Sequence, residues 1–272
     1  MGLIDKKKVM RSFGRQAAEY DSHSAIQKRV VEHLVEQLQK EDIMPVRLLD
    51  IGAGTGMLLR RLQELYPEAH RVGIDLAPEM CRMAQRNVQV KHTHFISADA
   101  ERLPFADAAF DLVLSTSTLQ WLNSLDIAFA EAFRVLAPGG LFCFAMFGEK
   151  TLFELKDSYR LALGTAGRAE VDRSHLFFST KDVKEALVRA GFSGSFSCSE
   201  VFLDSHEDVP ALLRSLKKIG AGNASPLASA GLAGRKVMLE MIDIYRRTHG
   251  MDGIIPATYE VIFAMGRKPF MP

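Results

Sequence analysis

A doubly wound α/β sheet, mostly parallel, is the fold class this sequence predicts, and three observations predict it. Seven apolar or alternating runs are spaced along the chain, and through residue 147 segments of helical periodicity separate them. A glycine-rich loop, Gly52-Ala53-Gly54-Thr55-Gly56, joins the first run to the helical segment that follows it. Acidic residues stand at or just beyond the ends of the first three runs: Asp50, Asp75 and Asp99.

The elements follow in order. Ile26, Val30, Leu34 and Leu38, joined by Val31 and Val35, form one face of a helix. Pro45 precedes a short buried strand, Val46 to Ile51. Met57 to Leu65 is a helix stopped before Pro67, and Val72 to Asp75 is a second strand. Pro78 occupies a first-turn position and opens a helix to Asn87. His92 to Ser97 and Phe110 to Ser115 are the third and fourth strands. Asp126 to Leu136 is helical, Ala137-Pro138-Gly139-Gly140 a turn, and Leu141 to Phe147 a fifth strand. Helices are expected at Thr151 to Leu163, Thr180 to Ala190, Val209 to Ile219 and Arg235 to Thr248. Ser193 to Leu203 and Thr258 to Met265 complete the strands. This is more helix than a minimal sheet domain needs, so an inserted helical cap is expected over the open end of the sheet.

A chain of 272 residues suits one large domain, and its 47% hydrophobic and 25% charged residues are ordinary for a globular protein. The net charge of +1 provides no global field toward nucleic acid or membrane. Three scattered cysteines, Cys81, Cys143 and Cys198, have no metal-ligand spacing and suit a reducing compartment. No apolar run approaches the roughly 18 residues of a membrane span, and the N-terminus has no secretory pattern. A cytoplasmic protein without metal is expected.

The glycine loop decides between two kinds of ligand. Gly52, Gly54 and Gly56 lie at i, i+2 and i+4, whereas a dinucleotide fingerprint places the third glycine at i+5, here Met57. "LDIGAGTGM" instead resembles the D/E-x-G-x-G-x-G loop of class I S-adenosylmethionine-dependent methyltransferases. That resemblance runs from Val46 to Phe147 and includes "GIDLAPEM", "ISADAERLPF", "FDLVLSTSTLQWL" and "FRVLAPGGLF". It implies a seven-stranded sheet with an antiparallel last strand. Backbone amides at the loop would receive the methionyl carboxylate, and Asp50 its amino group. Asp75, with Leu76, would hold the ribose hydroxyls, and Asp99, with Ala100, the adenine; Ser115 completes the expected set.

Four stretches outside that core resemble the malonyl-acyl-carrier-protein O-methyltransferases of biotin synthesis (the BioC family): "SFGRQAAEYDSHSAIQKRV", "FGEKTLFELKDSYR", "LLRSLKKIGAGN" and "IPATYEVIFAMGRK". Lys156 and Tyr159 depart from the Arg and the aromatic, often Trp, expected there. The resemblance implies one methyltransferase domain over 1–272. Residues 1–40 would form a helical lid and 41–150 the cofactor half, with 151–179 and 205–254 as cap insertions. The implied reaction methylates a malonyl carboxylate, which is ionised at neutral pH with a pKa near ~4 and needs no general base. Arg160 is the expected clamp on that carboxylate and Tyr20 the orienting hydroxyl, with Gln120 and Trp121 lining the acceptor site. An acidic carrier protein, or coenzyme A in its place, would be met by basic residues, foremost Lys217 and Lys218, with Lys6 to Lys8, Arg11, Arg15, Arg246 and Arg247 as further candidates.

Rival readings are a methyltransferase of a quinone precursor or another small carboxylic acid, a nucleic-acid methyltransferase, and a cofactor-binding module without activity. The near-zero charge and "STSTLQWL", in place of an Asn-Pro-Pro-Tyr-type loop, disfavour nucleic acid.

Overall fold

Seven strands form a single sheet in the order β3-β2-β1-β4-β5-β7-β6. The computed structural model describes residues 4–166, 177–223 and 232–270. The strands are β1 (Arg47–Ile51), β2 (His70–Asp75), β3 (Thr93–Ser97), β4 (Phe110–Thr116), β5 (Leu136–Phe147), β6 (Ser193–His206) and β7 (Ile255–Arg267). β1 to β5 run parallel, and β7 is inserted antiparallel between β5 and β6. After β3 the chain crosses to the far side of β1, so strand order reverses between β1 and β4. In open α/β sheets this is where a crevice forms outside the strand ends.

The helices are α1 (Lys6–Gln16), α2 (Tyr20–His23), α3 (Ala25–Leu38), α4 (Met57–Leu65), α5 (Pro78–Asn87), α6 (Leu125–Val135), α7 (Phe153–Thr165), α8 (Thr180–Arg189), α9 (Val209–Lys218) and α10 (Leu232–His249). They divide into two layers. On one face α3, α4, α7, α9 and α10 bury Leu34, Leu59, Leu155, Leu212 and Met241 against Leu112, Cys143 and Phe263 of the sheet. On the other, α6 and α8 bury Phe129, Ala132, Val183 and Leu187 against Phe142 and Phe144. The aromatic rings of Phe129, Phe142 and Phe192 lie 5.3 to 5.5 Å apart along that layer. Among the described residues no helix is long and apolar enough to cross a membrane.

Three sequence expectations change. Ala137 to Gly140 is not a free turn: β5 begins at Leu136, Gly139 takes φ +80, and the strand resumes its register on β4 at Leu141. β7 is longer than its apolar run, because its first residues, Ile255–Ala257, pair with β6 and its last, Gly266 and Arg267, pair with β5. Residues 1–40 do not form one lid. α3 is core, with Val30, Leu34 and Leu38 fully buried, and only α1 and α2 lie over the strand ends.

Candidate functional site

Two adjoining cavities open at the carboxyl ends of the strands. The first is lined by Ile51, Gly52 and Gly54 at the end of β1, by Asp75 and Leu76 at the end of β2, and by Ala98, Asp99 and Ala100 after β3. Thr116, Ser117 and Thr118 after β4 close it from the side, and Lys6, Val9, Phe13 and Tyr20 of α1 and α2 roof it. The second lies beside it and shares Phe13, Tyr20, Ser117 and Trp121 with it. Gln27, Gln120, Phe147, Thr151, Leu152, Phe177, Leu216, Ile219, Ala221 and Tyr259 complete its wall.

The glycine loop is shaped by its neighbours. Gly52 sits at φ +76, and a Cβ there would run into the Thr118 side chain. A Cβ at Gly54 would meet nothing within 4 Å, so this glycine keeps the cavity open. Gly56 does something else. It caps α4 at φ +86, and a Cβ would lie 2.6 Å from Val88 Cγ2, so it lets α4 approach α5 and does not line the cavity. Most loop amides are already engaged. The N–H groups of Gly52 and Ala53 donate to Ile74 O, that of Gly56 to Ala53 O, and that of Gly54 to Asp75 Oδ2 at 3.0 Å. These four amides hold the shape of the loop, three of them against β2.

Asp75 accepts from Gly54 N–H and, through Oδ1, from Ala77 N–H at 2.8 Å. A carboxylate has about four lone-pair sites, which leaves two for a diol. Burial pushes Asp75 up to about 6, opposed by those two hydrogen bonds. Asp50 lies behind the loop, 1% exposed, and neither carboxylate oxygen has a partner. Burial, with the Asp75 charge second, pushes it up to about 8. An orphaned acid beside a cavity suits a ligand that carries an ammonium group. Asp99 is held by Lys6, whose Nζ donates to Oδ1 at 2.8 Å and Oδ2 at 2.6 Å and also pairs with Glu101. Lys6 is thus part of the cavity roof, and its expected place on an outer docking face is corrected. The signal that could have found it is its position one helix-length before Tyr20 on a segment ending over the loop. Ser115 does not reach the cavity; it is fully buried and donates to Ile51 O at 2.8 Å. Ser117, two residues on, lines both cavities.

The roof is tied down locally. Asp5 caps α1 through the amides of Lys7 and Lys8. Ile4 and Asn123 exchange hydrogen bonds of 2.6 and 3.2 Å, and Thr55 Oγ1 donates to Asp21 at 2.5 Å. Phe13 packs edge-on against Trp121 at 5.5 Å. Burial, then the charges of Asp75 and Asp21, raise the Tyr20 hydroxyl well above its usual range, so it stays a neutral donor.

In the second cavity, Gln120 braces the wall: its Nε2 donates to Ser117 O at 2.7 Å and its Oε1 accepts from Phe147 N–H. Arg160 is absent from this wall. It lies in a separate, open cleft of about 600 Å³ with Asn123, Lys156, Asp157 and Arg189, its side chain half exposed and 3.3 Å from Asp157. Among the described residues the two spaces share Phe177 alone, against whose ring Lys156 Nζ rests at 4.4 Å. The arginine expected as a clamp therefore stands outside the described wall of the second cavity. Lys217 and Lys218 are exposed at the end of α9, while Leu216 and Ile219 of the same segment line the second cavity. Gln27, Ser117, Thr151 and Tyr259 escaped the sequence reading. Only Gln27 left a trace there, as a lone polar residue on the apolar face of α3.

A family model described as a methyltransferase domain matches residues 49–144. A malonyl-[acyl-carrier protein] O-methyltransferase of Geobacter sulfurreducens is 51% identical over 98% of this chain and 100% of its own length. One of Methylovorus sp. is 37% identical over 98% of this chain and 90% of its own. A putative methyltransferase of Bacillus halodurans shares the fold at a TM-score of 0.61 and 17% identity, covering 87% of this chain and 98% of that one. With the strand-end acids and the paired cavities, these matches place the chain in the malonyl-acyl-carrier-protein O-methyltransferase family, within the class I methyltransferases.

Proposed function

We propose that this protein acts in the cytoplasm, where it methylates the free carboxylate of a malonyl thioester carried by acyl carrier protein, the step that opens pimeloyl assembly in biotin synthesis. The observation that supports the reading is the shared wall. A cavity bearing strand-end carboxylates adjoins, through Phe13, Tyr20, Ser117 and Trp121, a cavity whose described lining carries no charged residue.

S-adenosylmethionine supplies an electrophilic methyl group on a positively charged sulfur. Asp75 would hold its ribose hydroxyls, Asp99 its adenine amino group and Asp50 the side on which its ammonium lies. Methyl transfer from a sulfonium to a carboxylate annihilates two charges. A dry, weakly polar acceptor cavity therefore favours the transition state over the separated ions. A cation in that cavity would stabilise the ionised carboxylate more than the transition state. Trp121, Phe147, Leu216 and Ile219 exclude water, and Tyr20, kept protonated, donates a hydrogen bond without neutralising the nucleophile.

α9 supports the carrier-protein reading. Its inner side closes the acceptor cavity, and Arg214, Lys217 and Lys218 are exposed beside it. An acidic carrier would deliver its substrate arm there, and malonyl-coenzyme A would use the cavity without the docking surface. The test is incubation with labelled S-adenosylmethionine and malonyl carrier protein, with intact-mass detection of one added methyl group. Binding of the cofactor with no mass gain overturns the acceptor assignment.

A further inference from the structure

Gln27 is out of place by ordinary packing rules. It lies on the buried face of α3, in line with Val30, Val31 and Leu34, and is 8% exposed. Its amide makes no hydrogen bond to another described residue, and it lines the acceptor cavity. A core-facing helix position of this kind ordinarily carries an aliphatic side chain, and the Gln27 amide is not sealed among the orphaned buried groups but is reached from the cavity. An orphaned hydroxyl lies on the same wall. Ser117 Oγ is sealed from solvent without a partner, on a residue held at φ +53, where the donor and acceptor cavities meet. The strain and the unmet hydroxyl fall at one point, where a functional constraint outweighs local stability.

We infer that Gln27 donates its amide hydrogen to the acceptor carboxylate and so fixes which substrate group meets the methyl donor, with Ser117 Oγ beside it at the junction of the cavities. The inference rests on the malonyl reading and deepens it. An amide suits the task for a reason already given: it orients a carboxylate oxygen yet adds no positive charge that the transition state would have to forfeit. It also discriminates. A carboxylate presents only acceptors to the amide N–H, whereas the methyl ester product has lost the charge that strengthens the bond, which favours release after one transfer.

Two substitutions test this in the full-length protein. Gln27→Leu completes the apolar stripe of α3. The ligand-free variant is expected to melt at or above the wild-type temperature and to bind S-adenosylmethionine unchanged. Its KM for malonyl carrier protein rises roughly tenfold or more, with kcat little altered, because the lost bond is strongest in the ground state. Gln27→Glu sets a second carboxylate against the first. Its turnover near neutral pH falls below that of the leucine variant and recovers as pH is lowered and the new side chain regains a proton. A leucine variant with an unchanged KM overturns the inference, as does one that loses stability together with activity, or a glutamate variant with the wild-type pH profile. Failure of the wild-type protein itself to methylate malonyl carrier protein, with cofactor binding intact, removes the acceptor and this inference with it. That result is distinct from wild-type activity that the variants leave unaltered.

Discussion

The donor and acceptor cavities share Tyr20 and Trp121 but are built on opposite principles. The donor side is charged and rigid. Asp50, Asp75 and Asp99 stand at the carboxyl ends of three parallel strands, and the glycine loop is fastened to β2 by its own amides. The acceptor side carries no charge among its described residues and is assembled from six separate stretches of chain, among them α3, α9 and β7. The difference teaches how a charge-annihilating transfer can be run. Charge is used to hold the parts of the donor that do not react, and is kept away from the place where charge disappears.

The sharpest way to break the donor side is Gly52→Ala. The new Cβ would collide with Thr118, and φ +76 disfavours any L side chain. Strain and overpacking together are expected to cost about 2–5 kcal/mol and to abolish measurable cofactor binding. Denaturant melts and calorimetry check both. A variant with wild-type stability would show that the loop is softer than its hydrogen bonds indicate.

Asp50 sharpens the comparison through pH. Its carboxyl is raised from an ordinary value to about 8 in the folded protein. The folded state therefore holds a proton that the unfolded state has released, and stability falls as pH rises between about 4 and 8. Asp50→Asn removes that dependence. The melting temperature of the ligand-free variant is expected to decline less than the wild type's across this window. Parallel declines would mean that Asp50 stays ionised in the fold.

Lys6 is where the roof meets the donor. Its contacts with Asp99 and Glu101 are partly exposed, so they contribute little to global stability, about 1 kcal/mol or less. They do pin α1 over the cavity. Lys6→Met is expected to speed cofactor release several-fold, within the tenfold that corresponds to about 1.4 kcal/mol, with melting little changed. Stopped-flow displacement measures it, and an unaltered release rate would leave the roof held by its other ties, the Ile4–Asn123 and Thr55–Asp21 hydrogen bonds and the Phe13–Trp121 contact.

The same contrast explains what could be read from the sequence. The donor side is local: each of the first three strands has its functional acid within two residues of its carboxyl end, and Gly-x-Gly-x-Gly stands at one turn, so Asp75 and Asp99 were legible in order. Periodicity also located α3, α4, α5 and the inner strands closely. Single residues went astray where direction mattered. Ser115 and Ser117 differ by two positions on one strand end, and only the turn after β4 decides which hydroxyl meets the cavity. Gly56 shares a motif with Gly54 yet serves helix packing. The acceptor side is non-local, since nothing in the spacing of Gln27, Thr151 and Tyr259 shows that the fold gathers them. Chemical expectation filled that gap with a cation at Arg160, because a carboxylate in isolation calls for one, whereas the described wall gathers neutral side chains.

Arg160 gives the smallest expected effect and the most direct check on that argument. Its side chain is half exposed in the outer cleft beside Asp157, and among the described residues Phe177 alone is common to that cleft and the acceptor cavity. Removing an exposed ion pair typically changes stability by less than about 1 kcal/mol. Arg160→Ala is expected to leave the melting temperature, cofactor affinity and kcat within about twofold of wild type, the range of surface substitutions away from a site. Any rise in KM should be seen with malonyl carrier protein and not with malonyl-coenzyme A, because the cleft is open to a docked protein and is not part of the cavity wall. A fall in kcat of about a hundredfold on both substrates would instead mean that the guanidinium reaches the reacting carboxylate during turnover. The acceptor side would then hold a charge after all, and the division between a charged donor cavity and an uncharged acceptor cavity would fail.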